Sequence, residues 1–323
     1  MKRTLMSCAV ASLLVSGSAL AAWPEKPIQI IVPWGAGGNT DTVARLVAEG
    51  LQKELKVNVN VVNRTGGAGV VGHDAIAKAK ADGYTLGIAT VEITMMHHQG
   101  MTALTYQNYT PITRLAVNLG GVQVAANSQF ENIVQMTDYI KANPGKLKAS
   151  GSGLNSGWHL NLIGMLDSMG LPPSAVTWVP SEGSSSALME LVSGGIDFTT
   201  SSPGEAKSMV DAKMVRNLAT MAEKSAGLYK DLPVFQQATG YKYHLATWNA
   251  LVVPAGTPEE VSQKLTAAMQ AVFAQGKLQE FATKQGFEVY PLYGKEMTTF
   301  MADEDARYGK LIAKIGDAAN LLI

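Results

Sequence analysis

The sequence predicts an α/β protein of two lobes that share strands. Three observations carry this. Short apolar runs alternate with helical stripes, the pattern of parallel sheets covered by helices. The series restarts after the breaker Asn143-Pro144-Gly145. The chain of 323 residues, 46% hydrophobic and 16% charged, is larger than one core usually serves, yet it contains no low-complexity linker to separate independent domains.

The first residues read as an export signal. Met1-Lys2-Arg3 precedes an apolar stretch from Leu5 to Val15, and Ala19-Leu20-Ala21-Ala22 stands just before Trp23. Residues 1–22 are therefore expected to be a signal peptide, cleaved after Ala21 or Ala22, with the mature protein in the periplasm. A membrane anchor needs about 20 consecutive apolar residues; Ser7, Ser12, Ser16, Gly17 and Ser18 interrupt this run. The single cysteine, Cys8, lies inside the leader, so the mature chain has no thiol for a disulfide, a thiolate metal site or nucleophilic catalysis. Leu5-Met6-Ser7-Cys8 resembles a lipoprotein box but sits too early for an apolar region to precede it. Losing Lys2 and Arg3 takes the 26 basic residues to 24 against 26 acidic ones, which excludes the basic surplus of a nucleic-acid binder.

In the mature chain, Ile28 to Val32 is a short apolar run without alternation, the mark of a strand buried on both faces. A glycine-rich turn leads to a helix with Val43, Leu46, Val47, Leu51 and Leu55 on one stripe. A strand from Val57 to Val62, the turn Arg64 to Gly69, a helix to Lys80, the turn Asp82-Gly83 and a strand from Tyr84 to Thr90 follow. Val122 to Ala126 is read as a strand, then a helix on Ile133, Met136 and Ile140. The second series has strands at 147–150, 176–179, 196–200 and 215–221, with helices near 156–169, 183–193 and 204–212. Trp248 to Val253 is a strand leaving that lobe, and Val261, Leu265, Met269, Val272 and Phe273 mark a helix after Pro254-Ala255-Gly256-Thr257-Pro258. The lobes expected are 23–122 with 250–323, and 123–249, joined by two strands that serve as a hinge.

Two loops carry the candidate chemistry. At Pro33-Trp34-Gly35-Ala36-Gly37-Gly38-Asn39-Thr40-Asp41 a buried strand ends and a helix begins, so unpaired backbone N–H groups and the helix dipole favour an anion there. The bland alternative is a tight turn capped by Asn39 or Thr40. A similar loop, Gly151-Ser152-Gly153-Leu154-Asn155-Ser156-Gly157-Trp158-His159, follows the strand ending at Ser150, and two such loops suggest two jaws on one ligand. Neither has the lysine of a phosphate loop, and Ser156 stands where a dinucleotide fingerprint needs its third glycine. No nucleophile elbow surrounds Ser150 or Ser152, and His159, one turn into a helix, reads as a packed or pocket-lining residue. Met95-Met96-His97-His98-Gln99-Gly100-Met101 offers soft and imidazole ligands, but core and surface explain it better than metal. No cofactor and no metal are expected.

These motifs together resemble the solute-binding proteins of tripartite tricarboxylate transporters, the Bug family. The carriers are Trp23-Pro24, Pro27-Ile28, Val32-Pro33-Trp34 leading to Gly37–Asp41 and Arg45, Asn63-Arg64 with Gly66-Gly67-Ala68-Gly69, and Asp82-Gly83-Tyr84-Thr85-Leu86. The loop from Ser150 to His159, Pro180-Ser181-Glu182-Gly183, Ala187-Leu188 and Gly194-Gly195-Ile196-Asp197 complete the pattern. The resemblance implies a type II periplasmic-binding-protein fold whose lobes close over a small organic carboxylate, without catalysis, and present it to membrane transporter subunits. It places the ligand at Gly37–Asp41, with donors from the loop 150–159, including Ser150, Ser152, Asn155, Ser156, Gly157 and His159. Polar wall residues are then expected at Thr90, Glu92, Ser181, Glu182, Ser201 and Ser202, beyond the carboxyl ends of strands. Trp34 either stacks on an aromatic acid or walls the cleft, and Trp34-Gly35-Ala36 and Ser184-Ser185-Ser186 depart from the family pattern, which leaves the substrate open. A monomer is expected. Two other readings of the same fold are a receptor feeding a sensor and an exported enzyme, although the candidate loops offer glycine, serine, threonine and asparagine rather than an acid, a base and a nucleophile.

Overall fold

The computed structural model describes residues 23–224 and 229–319; the predicted leader and its Cys8 lie outside the described residues. In chain order, the first unit runs β1 (Ile28–Val32), α1 (Asn39–Leu55), β2 (Val59–Asn63), α2 (Val70–Ala77), β3 (Thr85–Thr90) and β4 (Tyr109–Leu119). The second runs β5 (Gly121–Ala125), α3 (Ile133–Ala142), β6 (Lys148–Ser150), α4 (Gly157–Ser168), β7 (Thr177–Trp178), α5 (Ser184–Ser193), β8 (Phe198–Thr199), α6 (Lys207–Asp211), β9 (Val215–Thr220) and α7 (Phe235–Thr239). Then β10 (Ala246–Pro254), α8 (Glu259–Ala274), α9 (Lys277–Gln285) and α10 (Gly294–Ala319) close the described chain. Two five-stranded sheets result, ordered β2-β1-β3-β10-β4 and β7-β6-β8-β5-β9. None of the described helices is long and apolar enough to cross a membrane.

β1 lies between two parallel neighbours, β2 and β3, with helices on both faces, which is why its sequence shows no alternation. On one face, Val43, Val47 and Leu51 of α1 pack with Leu265, Met269 and Val272 of α8. Gly50 permits that contact, because a Cβ there would lie 2.6 Å from Val272 Cγ1. The other face is covered by Ile76 of α2 and by Met297, Met301 and Tyr308 of α10, and the same core takes in Trp158, Leu160 and Ile163 of α4. Each such side chain removed from water contributes roughly 1.5–3 kcal/mol. The second sheet has its own core around Val122, Ile140, Leu166, Phe198 and Phe235.

The chain leaves the first sheet at Gly120, the one residue between β4 and β5, and re-enters it at Ala246. The two crossings run side by side: Gly120 N–H donates to Leu245 O at 2.9 Å, Met221 N–H to Gly120 O at 2.7 Å, and Leu245 N–H to Met221 O at 3.1 Å. β4 is not among the strands expected from the sequence. Pro111 and Arg114 interrupt its apolar pattern, and an edge position tolerates both. Its ladder with β10 shifts register between Asn249 and Ala250, beside the cavity described next.

Candidate functional site

The turn after β1 is drawn tight by Asp41. Its carboxylate accepts from Gly37 N–H at 3.0 Å, from Arg45 Nε and Nη2 at 2.9 Å each and from Asn63 Nδ2 at 2.9 Å. Burial alone would raise the Asp41 pKa, but the bonds from Arg45, Gly37 and Asn63 hold it below its ordinary value. Asp41 is thereby spent on the turn, and Gly37, at φ +81°, supplies a left-handed conformation that glycine adopts without strain. The consequence is an open helix end. α1 begins at Gly38 without a side-chain cap, so the N–H groups of its first turn have no partner within the helix.

The second sheet repeats this geometry at α5. Gly183, at φ +149°, precedes Ser184, Ser185 and Ser186 with no side-chain cap on their helix. The two ends meet: a Cβ on Gly38 would lie 3.7 Å from Ser185 Oγ, and Gly35 N–H donates to Glu182 O at 3.3 Å. Between them is a cavity of about 180 Å³ whose wall includes Gly38, Asn39, Thr40 and Ser184–Ser186. Each unpaired N–H aimed at a charged acceptor adds roughly 1.5–3 kcal/mol, and each helix dipole about 0.3–1 kcal/mol more.

The loop before α4 is arranged differently. Glu92, in the turn after β3, reaches across, and its Oε1 accepts from Gly157 N–H at 2.9 Å. The carboxylate also accepts from Thr90 Oγ1, which itself accepts from Trp34 Nε1 at 3.1 Å. The N-terminus of α4 is thus already occupied by a carboxyl group of the protein itself. Burial raises the Glu92 pKa, offset in part by the bonds from Thr90 and Gly157. Behind Thr90, His73 completes the chain: Nε2 accepts from Thr90 N–H at 3.1 Å and Nδ1 lies 2.8 Å from Gly69 O, so the neutral ring protonated on Nδ1 satisfies both. Burial lowers the His73 pKa to about 4.

Of the residues expected at the site, Trp34, Gly38, Asn39, Thr40, Thr90, Ser152 and Gly157 line the cavity. Gly37, Asp41, Ser150, Asn155, Ser156, His159, Ser181 and Ser201 do not. Most of these serve their own loops. Ser156 Oγ donates to Gly153 O at 2.6 Å, Ser181 Oγ to Gly183 O at 3.1 Å, and Asn155 N–H to His159 Nδ1 at 3.0 Å. The His159 ring lies 4.8 Å from that of Trp178, and burial lowers its pKa to about 4.

Glu92 and Glu182, expected as wall residues, line the cavity, and so do Asn118, Glu205, Thr247, Trp248 and Asn249. Asn118 accepts from Asn39 Nδ2 at 2.7 Å, and the loss of β4 from the expected strands hid it. Glu205 had a readable signal. Ser202-Pro203-Gly204-Glu205 has capping-box spacing, and Ser202 N–H donates to Glu205 Oε2 at 3.1 Å while Glu205 N–H donates to Ser202 Oγ at 3.2 Å. Away from the cavity, His97, His98 and Asp305 cluster with ring nitrogens 3.1 and 3.3 Å from the carboxylate.

Comparison with known proteins identifies a family and a shared fold. The family model described as the tripartite tricarboxylate transporter family receptor matches residues 43–317. A UPF0065 protein from the tcbD-tcbE intergenic region of Pseudomonas sp. (strain P51) is 27% identical, over 99% of this chain and 96% of the relative. The solved periplasmic binding protein BugD superposes with a TM-score of 0.85 at 25% identity, over 91% of this chain and 99% of that one. The R. palustris protein Rpa4515, solved with adipate, superposes with a TM-score of 0.84 at 26% identity, over 91% and 98% of the two chains.

Proposed function

The chain belongs to the tripartite tricarboxylate transporter family of receptors, solute-binding proteins rather than enzymes, and from that premise we propose that it captures a small organic carboxylate in the periplasm for delivery to a membrane transporter. The observation that carries this reading is the pair of uncapped helix ends, α1 and α5, on opposite sheets and facing one cavity. Gly38, Asn39 and Thr40 supply main-chain donors from one side and Ser184, Ser185 and Ser186 from the other. The adipate held by the R. palustris neighbour supports a carboxylate.

In this reading the two lobes meet at the paired crossings Gly120 and Leu245 and open about them, a few residues before the boundaries expected from the sequence at 122/123 and 249/250, because all of β5 pairs in the second sheet and all of β10 in the first. Closing brings α1 and α5 together and completes the anion cage, so the closed form is the one a membrane partner recognises. Cleavage after Ala21 or Ala22 releases the mature monomer. The wall includes Trp34, Thr90, Ser152, Asn118 and Asn249, which select among acids without reacting with them.

The test is a thermal-shift screen of refolded, ligand-stripped mature protein against mono-, di- and tricarboxylates, aromatic acids, sugars and metal ions. A ligand bound only to the native state adds about 2.7 kcal/mol of stability at a hundredfold excess over Kd. Shifts with particular carboxylates are expected. Shifts with sugars or metals alone would overturn the reading.

A further inference from the structure

The cavity wall carries carboxylates and no cation. Glu92, Glu182 and Glu205 line it, and among the described residues on its wall there is no lysine, arginine or histidine. An anion held there by backbone donors alone has two buried or half-buried carboxylates for company, Glu92 and Glu205. Like charges in a low-dielectric cavity repel strongly. Burial already pushes the pKa of Glu92 and of Glu205 up, and Glu205 is raised further by the charge of Glu92. Asn249, 1% exposed, lines the same wall, and its Oδ1 has no hydrogen-bond partner. Trp34, Trp158 and Trp248 add aromatic surface. Trp34 and Trp248 spend their N–H groups on Thr90 and Glu304, each at 3.1 Å, so what they contribute to the wall is ring carbon.

Acidic oxygens, an unmet acceptor and indole rings are together what a protonated or quaternary nitrogen requires. Resting on the carboxylate-capture reading, we infer that the ligand is a zwitterion, whose carboxylate lies between α1 and α5 and whose cationic nitrogen is held by Glu92 and Glu205 against the tryptophans. Glu92 keeps its bond to Gly157 and Glu205 its bonds to Ser202, because each carboxylate oxygen can accept more than one donor. The nitrogen therefore joins bonds already present rather than replacing them.

The experiment is calorimetric titration of the ligand-stripped protein with matched pairs: aspartate against succinate, 4-aminobutyrate against butyrate, and alanine against propionate, with putrescine and choline as cations lacking a carboxylate. At least one amino acid is expected to bind tenfold or more tightly than its nitrogen-free counterpart, and Glu205→Gln is expected to narrow that ratio. Plain acids that bind as well as or better than their amino counterparts would overturn the inference and leave the carboxylate reading standing. Putrescine or choline binding where no acid does would overturn the carboxylate reading and the zwitterion with it, leaving a site for cations alone. Silence across the panel would overturn both. The wild-type ratios decide the matter even if the variant fails to fold.

Discussion

The N–H of Asn39 can be deleted without disturbing the fold, which makes it a direct probe of the anion grip. Asn39 is the first residue of α1, the helical position that suits proline best, and the residue before it, Gly38, has φ −76° and ψ 173°, the extended conformation that proline imposes on its predecessor. The side chain of Asn39 also donates to Asn118, so the comparison to make is Asn39→Pro against Asn39→Ala, since both lack that bond and only proline lacks the N–H. One donor to a carboxylate is worth roughly 1.5–3 kcal/mol, so Asn39→Pro should bind the best carboxylate of the screen about 10- to 150-fold more weakly than Asn39→Ala. The N–H has no partner within the helix, so the ligand-free Asn39→Pro variant should melt at or slightly above the Asn39→Ala variant. Calorimetric titration and thermal melts read the two quantities. Equal affinities in two properly folded variants would show that no ligand sits at the end of α1.

The remaining expectations concern stability. Burial lowers His159 from 6.5 to about 4, so the unfolded chain takes up a proton there before the folded one, and wild type should lose about 3 kcal/mol relative to His159→Gln as pH falls from about 6.5 to 4; urea melts of both proteins that stay parallel over that range would contradict this. Glu92 is raised by burial, so its contribution is full below the ordinary carboxylate pKa and is lost as pH rises through the folded value. Glu92→Gln should therefore gain on wild type as pH rises above the ordinary carboxylate pKa, and a constant difference in unfolding free energy would count against that assignment. Gly72→Ala would place a Cβ 2.5 Å from Pro33 Cα and 2.6 Å from Arg64 O, between backbone groups that have no room to give, and should destabilise by about 1–3 kcal/mol in denaturant melts. A wild-type midpoint for that variant would mean that the turn carrying Trp34 is softer than its packing suggests.

Elements whose signal is local were legible. The unalternating run of β1, the stripe of α1 and the glycine-rich turn between them each need only neighbours in sequence to be recognised. β4 was not, because its partner β10 lies far along the chain and tolerates Pro111 at the sheet edge. The site divides in the same way. The open end of α1 was visible in Gly37-Gly38-Asn39-Thr40. The loops before α4 and α5 both look like glycine-rich helix starts, and what separates them is a contact across 65 residues: Glu92 fills the first, while the second faces the cavity. Nothing within either loop reports which of them a distant carboxylate occupies.

The open ends of α1 and α5 have a further consequence, for how such a protein changes over generations. Their donors are main-chain N–H groups, which every residue except proline carries, so replacement of the side chains around them leaves the attraction for an acid in place. Trp34, Glu92, Asn118, Glu205 and Asn249 have no such protection, since each is one codon change away from a different wall. On the proposed reading, the taste for acids as a class and the choice of one acid are therefore inherited separately. A duplicated copy of this gene can acquire a new substrate by altering a few side chains, and it does not have to reinvent the means of holding a negative charge.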